Sequence, residues 1–217
     1  MKHFRILGLA LLALFALSAF AASMASAEEG VLNPANFTLK GGKQKLINLR
    51  NEEIACKEVE GSGKFLTEKE KDQHATGTLD FKGCTALGLA ANTLGDASGV
   101  FLAKVLYLIC LTNSSTLLFG ILVLALESPV HIEVPSVKQL ILVKGFVIGS
   151  LAKAGELKGK EFAVNFTEED KPAKCEINGN SFTSTYLASV DTKEDIDAFQ
   201  LGEATVTFAE EVVLMDK

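Results

Sequence analysis

The stretch VFLAKVLYLICLTNSSTLLFGILVLAL, residues 100–126, decides which fold this chain can adopt. Of its 27 residues, 20 are apolar and Lys104 is the only charge, so hydropathy alone reads it as a membrane span. The interruption Thr112, Asn113, Ser114, Ser115, Thr116 speaks against that reading. Five small polar residues in a row are costly in hydrocarbon and suit a hairpin turn. Divided there, the segment predicts two strands of about 12 and 10 residues, apolar on both faces. Residues 140–151 repeat that character, relieved by Lys144 and Gly145. Strands apolar on both faces must be covered twice. A central place in the core, roofed by other parts of the chain, satisfies that requirement. A cavity for an apolar ligand satisfies it too, as does a dimer interface or contact with lipid.

Outward from this hairpin the dominant period is two. Leu79 and Phe81 alternate with Thr78, Asp80 and Lys82; Phe162, Val164 and Phe166 with Glu161 and Asn165; Ala204, Val206 and Phe208 with Glu203, Thr205 and Thr207. Val130, Ile132 and Val134 alternate with His131 and Glu133 until Pro135 ends the run. Such runs are strands with one wet face. Gly41 with Gly42, the run Gly61, Ser62, Gly63, and the pair Asn178 with Gly179 read as turns. The last is a two-residue hairpin signal that would set Cys175 opposite Phe182. Residues 85–97, rich in Ala, Gly and Leu, fit either a short helix or an irregular loop, and residues 191–199 read as an acidic surface loop. Many short strands punctuated by turns predict an all-β fold, an antiparallel β-sandwich or, alternatively, a β-barrel-like sheet.

The N-terminus predicts where this fold resides. Lys2, His3 and Arg5 make a positive start, residues 6–17 are apolar apart from Gly8, and Ala25, Ser26, Ala27 form a small-x-small cleavage site. Residues 1–27 are therefore expected to be a signal helix cut after Ala27, with residues 28–217 forming a single antiparallel β domain. The apolar run is short for an anchor, which leaves no stable membrane span after cleavage. The whole chain of 217 residues carries a net charge of −6, and removing the leader takes away two cations, leaving −8. That acidity argues against nucleic acid as a partner and against anionic membrane surfaces.

Cys56, Cys84, Cys110 and Cys175 all lie beyond the leader. In an oxidising, exported setting an even count without C-x-x-C spacing predicts two disulfides, not a metal site. Three connectivities are open, and the pairing expected is Cys56 with Cys84 and Cys110 with Cys175.

Candidate chemistry is sparse. Beyond the leader there are two histidines, and His131 falls on the polar face of a strand beside Glu133, where it reads as solvated. His74 lies next to a charged stretch and reads as a loop or strand-edge residue. The run Gly95, Asp96, Ala97, Ser98, Gly99 lacks the spacing of a nucleophile elbow. The clusters Glu168, Glu169, Asp170 and Glu194, Asp195, Asp197 read as solvated faces without calcium-loop spacing. With no Trp and two Tyr, the chain has few aromatic platforms for sugars. No catalytic, cofactor-binding or metal residues are assigned, and no cofactor is expected.

The arrangement Ile54, Cys56, Lys57, Gly61, Gly63, then Gly77, Phe81, Gly83, Cys84, Thr85 resembles a pattern in uncharacterised secreted bacterial β-rich proteins. The leader residues Ile6 and Leu7, the run of residues 129–135 and the run of residues 207–211 are similar as well. The resemblance implies export and a Cys56 to Cys84 bridge, and implies no activity. The expectation from the sequence is thus a secreted or cell-surface protein that binds or interacts structurally. A carrier of a small apolar ligand or lipid is the first alternative, and a hydrolase with a site assembled from distant residues the second.

Overall fold

Among the described residues the period-two runs become strands, and almost nothing else is formed. The computed structural model describes residues 30–32, 36–65, 74–113, 118–154, 157–167, 174–177, 180–183, 185–190 and 195–215. The expected signal segment with Ala25 and Ala27, the pair Asn178 and Gly179, and the run Glu168, Glu169, Asp170 lie outside these residues. In chain order the strands are β1 (Gly30–Leu32), β2 (Phe37–Asn48), β3 (Glu53–Cys56), β4 (Glu58–Phe65), β5 (His74–Lys82), β6 (Thr85–Ala86), β7 (Leu89–Ala90), β8 (Asn92–Thr93) and β9 (Val100–Asn113). Then follow β10 (Leu118–Ala125), β11 (Val130–Val134), β12 (Gln139–Ala154), β13 (Leu157–Thr167), β14 (Lys174–Ile177), β15 (Asn180–Thr183), β16 (Thr185–Val190) and β17 (Ile196–Met215). One 3₁₀ turn, Pro135–Val137, follows β11 where Pro135 stops the strand.

All pairings are antiparallel and they close on themselves. β17 pairs with β2, β2 with β4, β4 with β5, β5 with β9 and β9 with β10. β10 then pairs with β12, β12 with β13 and β13 with β17, completing a ring of eight strands. The all-β antiparallel fold read from the sequence is present, in its barrel-like form. At eight strands a barrel is just wide enough for side chains to fill it or for one small ligand. Beyond its short contact with β13, β12 is joined instead to β16, whose other edge meets the start of β17.

Alternation decides which side chains fill the barrel. Val105, Tyr107, Ile109 and Leu111 of β9 point inward with Phe119, Ile121 and Val123 of β10, Val164 and Phe166 of β13, and Val206 and Phe208 of β17. The opposite faces of β9 and β10 carry Leu106, Leu108, Cys110 and Leu122, and these are buried as well. Their roof is the β14–β15 hairpin, which brings Cys175 and Ile177 onto them. Cys175 stands opposite Phe182 in that hairpin, as the turn signal at residues 178 and 179 predicts. From Leu106 to Leu111 on β9 and from Phe119 to Val123 on β10 the apolar hairpin is therefore covered on both faces by the chain itself, while Leu102 and Leu126 stay exposed. Among the described residues no helix is long and apolar enough to cross a membrane.

Two readings of local structure change, and a third is narrowed. Gly41 and Gly42 lie inside β2, and Gly61, Ser62 and Gly63 inside β4, so neither group is a turn. A Cβ on Gly41 would stand 2.6 Å from the Glu203 carbonyl oxygen, and one on Gly63 would overlap the Phe37 ring. These glycines admit close approach of neighbouring strands and side chains. Residues 196–199 belong to β17, because Ile196 and Ala198 turn inward while Asp197 faces solvent. Residues 85–97 form no helix; of the two readings the irregular loop is the nearer, made of turns that join the two-residue strands β6, β7 and β8.

Candidate functional site

Both disulfides form as paired in the sequence reading. Cys56 and Cys84 are directly opposite in the antiparallel register that runs from β4–β5 into β3–β6, with Cα atoms 4.0 Å apart. Cys110 on β9 is joined to Cys175 on β14, Cα to Cα 5.6 Å, which fastens the roof to the barrel wall. The first bridge sits in an apolar cluster with Ala86, Phe101, Ile132, Val134 and Ile141 that fills the end of the barrel near β11.

Between that end cluster and the main core lies a cavity of about 90 Å3. Its walls are Leu79, Phe81, Phe101, Val105, Val123, Ile132, Val143 and Val147, together with the small Ala103 and Ala125. The polar groups on it are Gln44 and Gln200, with Lys45 at the rim. Gln44 is 3% exposed, an unusual residence for an amide inside an apolar barrel. Its Nε2 donates to the Glu203 carbonyl at 2.9 Å, and its Oε1 accepts from Gln200 Nε2 at 3.2 Å.

The backbone is shaped around that amide. Gly202 pairs with Gln44, has φ of 152°, and sits at a register shift between Gly202 and Ala204. Any Cβ at Gly202 would overlap the Gln44 side-chain amide. The irregularity leaves the Glu203 carbonyl to the Gln44 side chain, and Gly supplies both the space and the backbone angle. Sequence reasoning passed over this site because Gln44 and Gln200 are 156 positions apart and meet only through the β2–β17 pairing.

The remaining candidates are dispersed. His131 is exposed on β11 and lines a surface hollow of about 200 Å3 with Thr93, Leu94, Lys104 and Glu127. In it Lys104 Nζ donates to Glu127 Oε1 at 2.9 Å, and that bond holds the ammonium pKa above its ordinary value. Glu133, two residues from His131, is engaged elsewhere: Asn92 Nδ2 donates to its Oε1 at 2.7 Å. Thr93 Oγ1 accepts the Leu102 N–H at 3.0 Å. His74 opens β5 opposite Leu108, on another strand pair from His131. Asp195 is drawn out of its acidic run to Lys144 Nζ, 2.6 Å away. Among the described residues, no group of three His, Cys, Asp or Glu is placed to hold a metal ion.

Tyr107 is the one described titratable side chain in the barrel core. Its hydroxyl donates to the Thr78 carbonyl at 3.3 Å, and burial pushes the phenol pKa well above its usual value. Outside, a hollow of about 560 Å3 over Gly63 and Gly77 is lined by Thr38, Ser62, Thr76, Thr78 and Thr207. No family model, no curated protein and no solved structure matches the chain.

Proposed function

We propose that the protein is exported with loss of residues 1–27 and works outside the cell or at its surface by binding, without catalysis. The observation that carries this reading is the barrel cross-linked twice, at Cys56–Cys84 and Cys110–Cys175. Bridges of this kind persist in oxidising compartments and are rare where thiols are kept reduced. The binding mode draws support from the partly open cavity beneath Gln44 and Gln200, apolar with a small polar corner, which is the usual make-up of a ligand site. It also draws support from the separation of the two histidines onto different strand pairs, His74 opposite Leu108 and His131 opposite Leu142. The hydrolase alternative would need a base and a nucleophile brought together.

Intact-mass analysis of the protein recovered from the medium or the cell envelope tests the reading. The expected species lacks residues 1–27 and the four thiol hydrogens. A retained leader with free thiols would overturn export. Hydrolysis of a generic ester or glycoside abolished by His131→Ala would overturn the non-catalytic reading.

A further inference from the structure

We propose that the cavity beneath Gln44 and Gln200 binds a small neutral ligand, apolar over most of its surface and bearing one carbonyl or hydroxyl group. A short ketone or alcohol represents the class. The inference rests on the reading that the protein works by binding, and it names the kind of molecule bound.

The space comes first. The cavity of about 90 Å3 is several times the roughly 10–15 Å3 that such a space needs to hold one water. The other half of the barrel is filled, since the gap among Phe37, Tyr107, Ile109 and Phe208 is about 10 Å3. The difference arises where Ala103 and Ala125 take inward positions in strands that elsewhere turn valine, leucine, isoleucine or aromatic side chains inward. Hydrocarbon makes up most of the walls, so ordered water would find its two to four polar partners only at the Gln44–Gln200 corner.

The polar corner sets the ligand's functional group. A glutamine amide has two N–H donors and an oxygen with two lone pairs. Among the described residues, Gln44 commits one donor to Glu203 and accepts one bond from Gln200. That leaves an N–H on Gln44 for a carbonyl and the Gln200 oxygen for a hydroxyl. Charge is excluded by the same inventory: no carboxylate lines the cavity, and Lys45 at its rim is taken by Glu53 Oε2 at 2.9 Å. A charged guest would enter an apolar space without a counter-charge.

The corner is also maintained against local preference. A positive φ at Gly202 and a register shift fall at one point of the longest strand, directly across from the buried amide of Gln44 on β2. Departures from local rules that cluster around a cavity mark sites kept for use.

Two probes test the site on the purified, oxidised protein by NMR: 2-butanone, which carries the carbonyl, and xenon, which reports a dry apolar cavity. With 2-butanone, the backbone amide signals of Gln44, Ala103, Ala125 and Gln200 are expected to shift saturably. Gln44→Met should weaken 2-butanone binding about tenfold, the loss of one useful hydrogen bond, while leaving xenon binding in place. Ala125→Leu, or Ala103→Val should the larger side chain not be tolerated, should abolish both and not lower the melting temperature. The site is overturned by the absence of saturable shifts, by xenon binding without ketone binding, or by ketone binding indifferent to these variants. Such a result on a cleaved and bridged protein leaves the binding reading standing. A retained leader with free thiols overturns that reading whatever the probes show.

Discussion

Leu108 and Leu102 lie on the same face of β9, yet the first is 1% exposed and the second 48%. The β14–β15 hairpin separates them, because its roof reaches Leu106, Leu108 and Cys110 and stops short of Leu102. Truncating Leu108 to alanine is therefore expected to cost about 2–5 kcal/mol. Leu102→Ala should stay within about 0.5 kcal/mol of wild type. Urea melts of the two variants check the pair. Equal, small effects would mean that the outer face of β9 is not covered.

The roof is held by the Cys110–Cys175 bridge, which closes a loop of 65 positions. On the chain-entropy account, replacing both cysteines by alanine lowers stability by about 4 kcal/mol. The double variant should also bind a hydrophobic dye, since loosening β14 uncovers Leu106, Leu108 and Leu122. The Cys56–Cys84 pair closes only 28 positions and lies in the end cluster. Its removal should cost about 3.5 kcal/mol and leave dye binding unchanged. Dye fluorescence with denaturant titration separates the two bridges.

Tyr107 makes alkaline stability readable. Its folded pKa lies above the ordinary 10.0, because burial disfavours the phenolate. The unfolded phenol ionises first, so stability is fully present below pH 10 and declines as pH rises beyond it. Lys82 and Lys104, both raised by carboxylate partners, drift in the same direction, which makes the comparison with a variant essential. Tyr107→Phe is expected to flatten the decline above pH 10. Denaturation midpoints from pH 8 to 11.5 measure it, and parallel curves would show that Tyr107 contributes nothing there.

Gly77 faces Gly63 across β4 and β5, and a Cβ on Gly77 would overlap the Ser62 carbonyl. Because the obstacle is backbone, Gly77→Ala should destabilise by at least about 2 kcal/mol. Gly42 meets nothing within 4 Å, so Gly42→Ala should be close to neutral. Thermal melts of the two alanine variants decide between a packing role and mere chain freedom.

The same glycines show where sequence reading succeeds and fails. The hairpin of residues 100–126 is legible because a five-residue polar interruption divides an apolar run, and β9 and β10 on either side of it pair antiparallel. Cys175 opposite Phe182 follows from simple counting about residues 178 and 179. Gly41 and Gly63 mislead, since a glycine that admits a neighbour's carbonyl or ring is indistinguishable in sequence from one that turns the chain. The end of the acidic run misleads for a related reason: Asp197 hides the alternation of Ile196 and Ala198. The Gln44–Gln200 corner is invisible in sequence, because nothing local marks a glutamine that will be enclosed by a strand far along the chain.

The strand β17 provides partners for β1, β2, β13 and β16. Until residues 196–215 have been synthesised, β2 and β13 each keep an open edge and the ring has a gap. Closure therefore waits on the last strand of the ring, and the long-range pairings it makes are slow to find. The other seven strands of the ring can pair with one another beforehand, so docking of β17 between β2 and β13 is the step that turns an open sheet into a barrel.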